Sequence, residues 1–331
     1  MIKLFSLIFL FVSLASADAG KSSFHELLRF KFGGIGGWDY LKVEETSGRL
    51  FIARSDRVMV IDAETGKLIT EIPGMAGAHG VAFDLKHELG FATAGKANAV
   101  VVFDLKTLKP SGSIPVGENP DAIIYDEFSN HVFAFNGKSK MASVIDAATR
   151  KVVATISLSG KPEFAVSDEA GKIFVNIEDQ NSLTVIDSTK NQILTVYSLK
   201  PCEEPTGLSY DPENKRLIAG CGNKLAAVVS AETGKVLQTF PVGEGVDATA
   251  FDTKSRRAFI SAGLGSLTVL DAAQTGYTLL QTLDTVRGAR TLAVNSKTGK
   301  VYLPSATLTF PKDSRPVPEP GTFYVMVVGQ K

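Results

Sequence analysis

Cysteine, histidine and tryptophan are scarce in this 331-residue chain, with two, four and one of them, and neither charge is in excess, because 35 Lys and Arg stand against 35 Asp and Glu. Balanced charge argues against nucleic acid or an anionic membrane surface as the partner, since both need a basic field. The two cysteines, Cys202 and Cys221, lack C-x-x-C spacing, which removes zinc ribbons, thioredoxin-like redox motifs and c-type haem attachment. There is also no H-E-x-x-H, no G-x-S-x-G and no P-loop, because Gly20-Lys-Ser22 has no upstream glycine. The cluster Gly33-Gly-Ile-Gly-Gly37 fails the spacing of a dinucleotide fingerprint. No Asn-x-Ser/Thr acceptor site occurs, and no apolar run approaches the roughly 20 residues that span a bilayer.

What is present at the start is Met-Ile-Lys, an apolar run from Leu4 to Leu14, and Ala15-Ser16-Ala17. This order of basic, apolar and small residues predicts a secretory signal peptide over 1–17, a mature domain over 18–331 and a periplasmic or secreted location. In an oxidising compartment Cys202 and Cys221 are expected to form a structural disulfide, with a redox-active pair as the alternative.

The strongest signal is repetition. Val-Ile-Asp62, Val-Phe-Asp104, Val-Ile-Asp146, Val-Ile-Asp187, Val-Val-Ser230 and Val-Leu-Asp271 follow one another at steps of 42, 42, 41, 43 and 41 residues. Between them lie short runs of Val, Ile, Phe and Thr separated by Asn-Gly, Ser-Gly and Asp-Ala-Ala-Thr, which is strand and turn chemistry. Such a period predicts an all-β, seven-bladed β-propeller of four-stranded sheets, because one sheet cannot bury both its faces and stacked sheets close into a ring. The seventh unit starts near Asn295 and lacks an outer strand. Leu28-Arg-Phe-Lys-Phe32-Gly-Gly matches the outer strand Val236-Leu-Gln-Thr-Phe240-Pro-Val-Gly, so this N-terminal segment is expected to complete the last blade and close the ring.

The phrases Val144-Ile-Asp-Ala-Ala-Thr, Val153-Ala-Thr-Ile156, Ile114-Pro-Val-Gly-Glu-Asn-Pro120 and Phe174-Val resemble the YVTN-repeat, YncE-like family of bacterial β-propellers across essentially the whole mature chain. The resemblance implies an extracytoplasmic propeller; it says little of activity, because this architecture hosts unrelated functions. Some YncE-like propellers are linked to DNA, but this chain has no dense Lys/Arg stripe.

Aligning the inner strands on Glu44, Asp84, Asp126, Asp168, Asp211, Asp252 and Asn295 places Asp39, His79, Asp121, Glu163, Thr206, Asp247 and Arg290 five residues earlier. These seven are expected to ring one mouth of the central channel. Of them His79, Asp121, Glu163 and Asp247 are the candidate ligands of a divalent cation or an acid–base set, and Arg290 with Arg287 can hold an anion. The bland reading is that polar residues line any wet channel mouth. Trp38 either stacks on a ligand there or packs between blades. Asn176 and Glu178 in a loop of blade four, and Glu203 and Glu204 beside the cysteines, are secondary candidates. The proline-rich insertion from Thr307 to Gly321 is expected to form a stiff loop over the same face.

Two functions are compatible with this pattern. One is a module binding a small molecule or an extracytoplasmic protein through the channel face. The other is a metal-assisted lactonase- or lyase-like enzyme, with Glu163, Asp121 and Asp247 as ligands or base, His79 exchanging the proton and Arg290 holding substrate.

Overall fold

Runs rich in β-branched and aromatic residues and cut every few positions by Gly, Asn and Asp favour strands and tight turns over helices. A computed structural model describes residues 23–273, 276–311 and 316–330 of the chain, so the signal peptide expected over 1–17 lies outside the described residues. Among the described residues helical turns are confined to Gly95–Ala97 and Glu178–Gln180. The strands there group into seven four-stranded antiparallel sheets and one two-stranded ribbon.

The first sheet runs outward from the channel through Leu41–Glu44, Arg49–Arg54, Arg57–Asp62 and Leu68–Pro73. Five further blades over 78–115, 120–157, 162–198, 205–241 and 246–284 repeat this order. The seventh sheet takes Ala293–Asn295, Lys300–Ser305 and Tyr324–Gly329 from the C-terminal end and His25–Lys31 from the N-terminal end. In it His25 opposes Gly329 and Lys31 opposes Tyr324. The amides of Phe32 and Gly33 then both donate to the Phe323 carbonyl, at 3.0 and 2.9 Å.

The repeated acids terminate strands. Asp62, Asp104, Asp146 and Asp187 each accept a backbone N–H bond from the residue three positions on, closing the turn to the outer strand. On the same face Glu44, Asp84, Asp126, Asp211 and Asp252 are buried and accept backbone N–H bonds in the first turn of their blades. These carboxylates are therefore turn chemistry, and the ring of candidates lies at the other end of the inner strands.

The core is a series of apolar layers between neighbouring blades. Between the first and second, Phe51 packs 4.7 Å from Phe83 and 6.0 Å from Phe103, with all three rings buried. Cys202 and Cys221 form a disulfide with Cα atoms 5.4 Å apart, both fully buried, tying the connector into blade five to the end of that blade's second strand.

Two stability measurements follow from this packing. Phe51→Ala removes a ring shared by two blades and is expected to cost about 3–5 kcal/mol in equilibrium urea unfolding; a loss below about 1 kcal/mol would mean that this layer does not hold the two blades together. Replacing both Cys202 and Cys221 by serine frees a loop of 19 residues' separation. The chain-entropy account gives a loss of about 3 kcal/mol, and oxidised, denatured wild-type protein should show no titratable thiol.

Candidate functional site

Regular alternation along an inner strand would bury every second side chain between blades, so a polar residue there needs a break in the register. Five blades supply one at the same place. The pairing of the inner strand shifts between Ala78 and Val81, Pro120 and Ile123, Pro162 and Ala165, Pro205 and Leu208, and Val246 and Ala248. His79, Asp121, Glu163, Thr206 and Asp247 lie inside these irregularities, and Asp39 and Arg290 precede the shorter inner strands Leu41–Glu44 and Ala293–Asn295. A bulge re-aims the side chain it contains, and six of the seven residues, all but Thr206, line one cavity of about 720 Å³.

Side chains of adjacent blades fix the backbone at these positions. Thr93 Oγ1 donates to the Asp121 carbonyl at 2.8 Å, Ser261 Oγ to the Arg290 carbonyl at 2.5 Å, and Thr291 Oγ1 to the Asp39 carbonyl at 2.9 Å. Asn176 is another of this set. It sits on the strand Lys172–Ile177, not in a loop as expected, fully buried, with Nδ2 bonded to the carbonyls of Thr206 and Gly207 at 3.0 and 3.1 Å. Thr206 turns its hydroxyl to the Val246 carbonyl at 3.1 Å.

The charged groups form an alternating chain through five blades. Asp247 accepts a hydrogen bond from Arg290, whose Nη2 also lies 3.3 Å from Asp39. Asp39 accepts at 2.6 Å from His79 Nδ1, which stands 3.6 Å from Asp121. Gly95 gives the imidazole its space, since a methyl group there would come within 2.9 Å of the ring. In blade four Lys161 bonds Glu163 and, at 2.5 Å, Glu178. Lys161 and Tyr40 were not singled out from the sequence, although each adjoins or nearly adjoins a residue that was. Tyr40 lies beneath the chain of charges, its ring 4.8 Å from that of Phe164. The first and fourth blades are not neighbours, so this contact crosses the channel.

Burial and crowding of like charge perturb the acids. Asp121 is pushed up to about 6 by burial and by the charge of Asp39, against the opposing effect of His79. Glu163 is pushed up to about 8 by burial and by Asp121, with Lys161 pulling the other way. Burial also raises Asp247 despite Arg290, and raises the Tyr40 phenol, which faces the charges of Asp247, Asp121, Asp39 and Glu163. His79 is raised: burial opposes its charge, but the hydrogen bond to Asp39 and the charges of Asp121 and Asp39 outweigh burial.

One wall is apolar. Leu308, Phe310, Pro316 and Pro318 line it from the ribbon Leu308–Thr309 and Val317–Pro318, within the proline-rich insertion. Arg287 stacks its guanidinium 4.1 Å over Phe310. Trp38 lines the cavity and packs 5.6 Å from Phe323. The loop carrying it is held by Arg54, which no motif in the sequence announces: fully buried, it stacks 3.6 Å over Phe323 and donates to the Ile35 and Gly37 carbonyls at 3.1 Å. Glu203 and Glu204 do not line the cavity; their backbone amides bond the side chains of Asn223 and Asn181.

The raised His79 value has a direct readout. Its ion pair with Asp39 contributes fully to stability below the unfolded imidazole value of about 6.5, and that contribution is lost as pH rises through the higher folded value. Following the four histidines by NMR in metal-free protein should show His79 titrating above the free imidazole value, and Asp39→Asn should lower it. Equal titration in the two proteins would contradict the pairing.

No family model matches the chain, and no curated protein matches its sequence. Solved structures do. Hydrazine synthase of Kuenenia stuttgartiensis superposes with a TM-score of 0.71 at 17% identity, over 81% of this chain and 92% of that one. The WD40 repeats of RRP9 give 0.78 at 9% identity over 92% and 97%, and U3-55K gives 0.77 at 9% over 91% and 98%. At such identities the likeness concerns the fold, and in fold the chain is a seven-bladed, WD40-like β-propeller.

Proposed function

We propose that this protein is an extracytoplasmic, YncE-like propeller that captures a small polar solute at one mouth of its channel. The observation that carries the reading is the cavity itself: about 720 Å³, lined by Tyr40 and by charged groups of both signs and apolar on one wall. That volume falls in the range of small-molecule sites, which pair an apolar wall with a few converging polar groups. The lining carries the carboxyls of Asp39, Asp121, Glu163 and Asp247, so a cationic part of a ligand finds acceptors there. Arg287 and Lys96 line the same cavity, and neither has an ion-pair partner among the described residues, so an anionic part of the ligand has donors too. The disulfide and the N-terminal apolar run support export, and among the described residues no helix is long and apolar enough to cross a membrane.

A second reading, metal-assisted lactonase- or lyase-like catalysis, is favoured by the raised carboxyls. With Asp121 pushed up to about 6 and Glu163 to about 8, a carboxyl at the mouth keeps its proton near neutrality, as general acid catalysis requires. An enzyme of this kind loses turnover in Glu163→Gln, whereas a binding module loses affinity alone.

Trp38 is the chain's single tryptophan and lines the cavity, so its emission reports on occupancy without a label. Titration with amino acids, polyamines and hydroxy acids should shift or quench that emission saturably for the class that binds. A Cβ at Gly37, also on the cavity wall, meets nothing within 4 Å, so Gly37→Leu can obstruct the mouth while the blades stay intact. It is expected to weaken the response about tenfold or more, corresponding to about 1.4 kcal/mol; an undiminished response would place the solute elsewhere.

A further inference from the structure

We infer that Asp39, His79 and Asp121 form a binding site for one divalent first-row metal ion, the primary ligand of the mouth. This deepens the proposal of a solute-binding mouth and rests on it. His79 Nδ1 and one carboxylate oxygen from each aspartate lie within 4.8 Å of one another. Small side-chain rotations bring three such atoms to an ion whose bonds are about 2.0–2.2 Å long. The three residues come from blades one, two and three, on backbone held by Thr291, Thr93 and the bulges, so the ligands are positioned before any ion arrives.

Two further observations point to a missing cation. The nitrogen nearest to Asp121 is already bonded at 2.6 Å to Asp39, and one N–H cannot serve both carboxylates. The Asp121 side chain, 17% exposed, consequently forms no hydrogen bond among the described residues. Tyr40 is 7% exposed and faces the same carboxylates, yet its hydroxyl forms no hydrogen bond among the described residues either. Asp121 and Tyr40 thus both line the cavity without a hydrogen-bond partner among the described residues, on the side where the three ligand atoms converge. A cation bound to Nδ1, Asp39 and Asp121 gives the acceptor its counter-charge and places a coordinated water or solute oxygen within reach of the phenol. Glu163 and Asp247, which the sequence also offered as metal ligands, are engaged by Lys161 and Arg290 and stand outside this group.

The donor set selects the kind of ion. One imidazole and two carboxylates suit Mn²⁺ to Zn²⁺, whereas Ca²⁺ asks for six to eight oxygens and Mg²⁺ for mostly water. Three protein ligands leave coordination positions open toward the cavity, where a chelating solute, with its anionic end near Arg287 and Lys96, can complete the shell.

The experiment is a Co²⁺ titration of chelator-treated mature protein, read by d–d absorption and by metal analysis after gel filtration. One equivalent should bind; Asp121→Asn and His79→Gln should weaken it about 100-fold or more, beyond the 10–100-fold typical of losing an outer-shell partner. Glu203→Gln, at a position outside the cavity, should bind as wild type. Asp121→Glu, which keeps the carboxylate but moves it, should retain weaker binding with an altered spectrum, and thermal melts verify that each variant is folded. Absence of stoichiometric binding by the wild type, or equal binding by Asp121→Asn, overturns the site. Trp38 emission that responds to solutes in metal-free protein that does not bind Co²⁺ overturns the metal site and leaves the solute-binding reading standing. Stoichiometric Co²⁺ lost in the variants, with no solute response in either form, supports the site and removes that reading.

Discussion

Each blade carries apolar side chains on both faces, and neither face can stay in water. Phe51, Val58 and Val60 on one sheet must cover Val81, Phe83 and Val101 on the next, and this requirement repeats until the sheets return to the first. A four-stranded sheet is too small to bury two faces alone, so the ring is a condition of folding. Most charged side chains are thereby left to the two rims, the outer strands and the narrow axis. The N-terminal strand and the C-terminal strands share one sheet, which ties the two ends of the chain together in the same blade.

That constraint makes the mouth unusual. Inner strands converge on the axis, where side chains from different blades crowd within a few ångströms. The repeated register shift takes His79, Asp121, Glu163 and Asp247 out of the interblade layers and turns them into that crowded space. Hydroxyl and amide side chains from adjacent blades then hold the carbonyls of the same segments, so the backbone at the mouth is braced by the packing of the blades. Positioning of this kind costs little when a ligand arrives, because the ordering was accomplished on folding.

Charge is arranged by the same geometry. Asp247, Arg290, Asp39 and His79 alternate around the rim and satisfy one another, but the chain ends at Asp121, where the remaining imidazole donor is spent. Beside them the Tyr40 ring meets Phe164 across the axis, and apolar surroundings of this kind strengthen nearby charge interactions. The mouth is charged and preorganised because an apolar ring leaves its polar residues few other places to converge.

The repeat period, the strand composition and the turn acids are local properties, and from them the propeller and its blade number were legible in the sequence. Position within a repeat is a one-dimensional quantity, so residues five before each turn acid could be named without coordinates. What side chains at those positions touch depends on blades far apart in the chain, and there the sequence was silent. Nothing local distinguishes Thr206, which turns away to the Val246 carbonyl, from Asp121, or shows that Asn176 is a brace between blades. The crossing of Tyr40 onto Phe164, the burial of Arg54 under the Trp38 loop and the displacement of Glu203 and Glu204 from the cavity are likewise outcomes of closure. The sequence alone determined the repeating unit, because hydrogen bonding and turn chemistry act between near neighbours. Only the tertiary structure decided which carboxylates are ion-paired and with which partner, because that depends on distances across the ring.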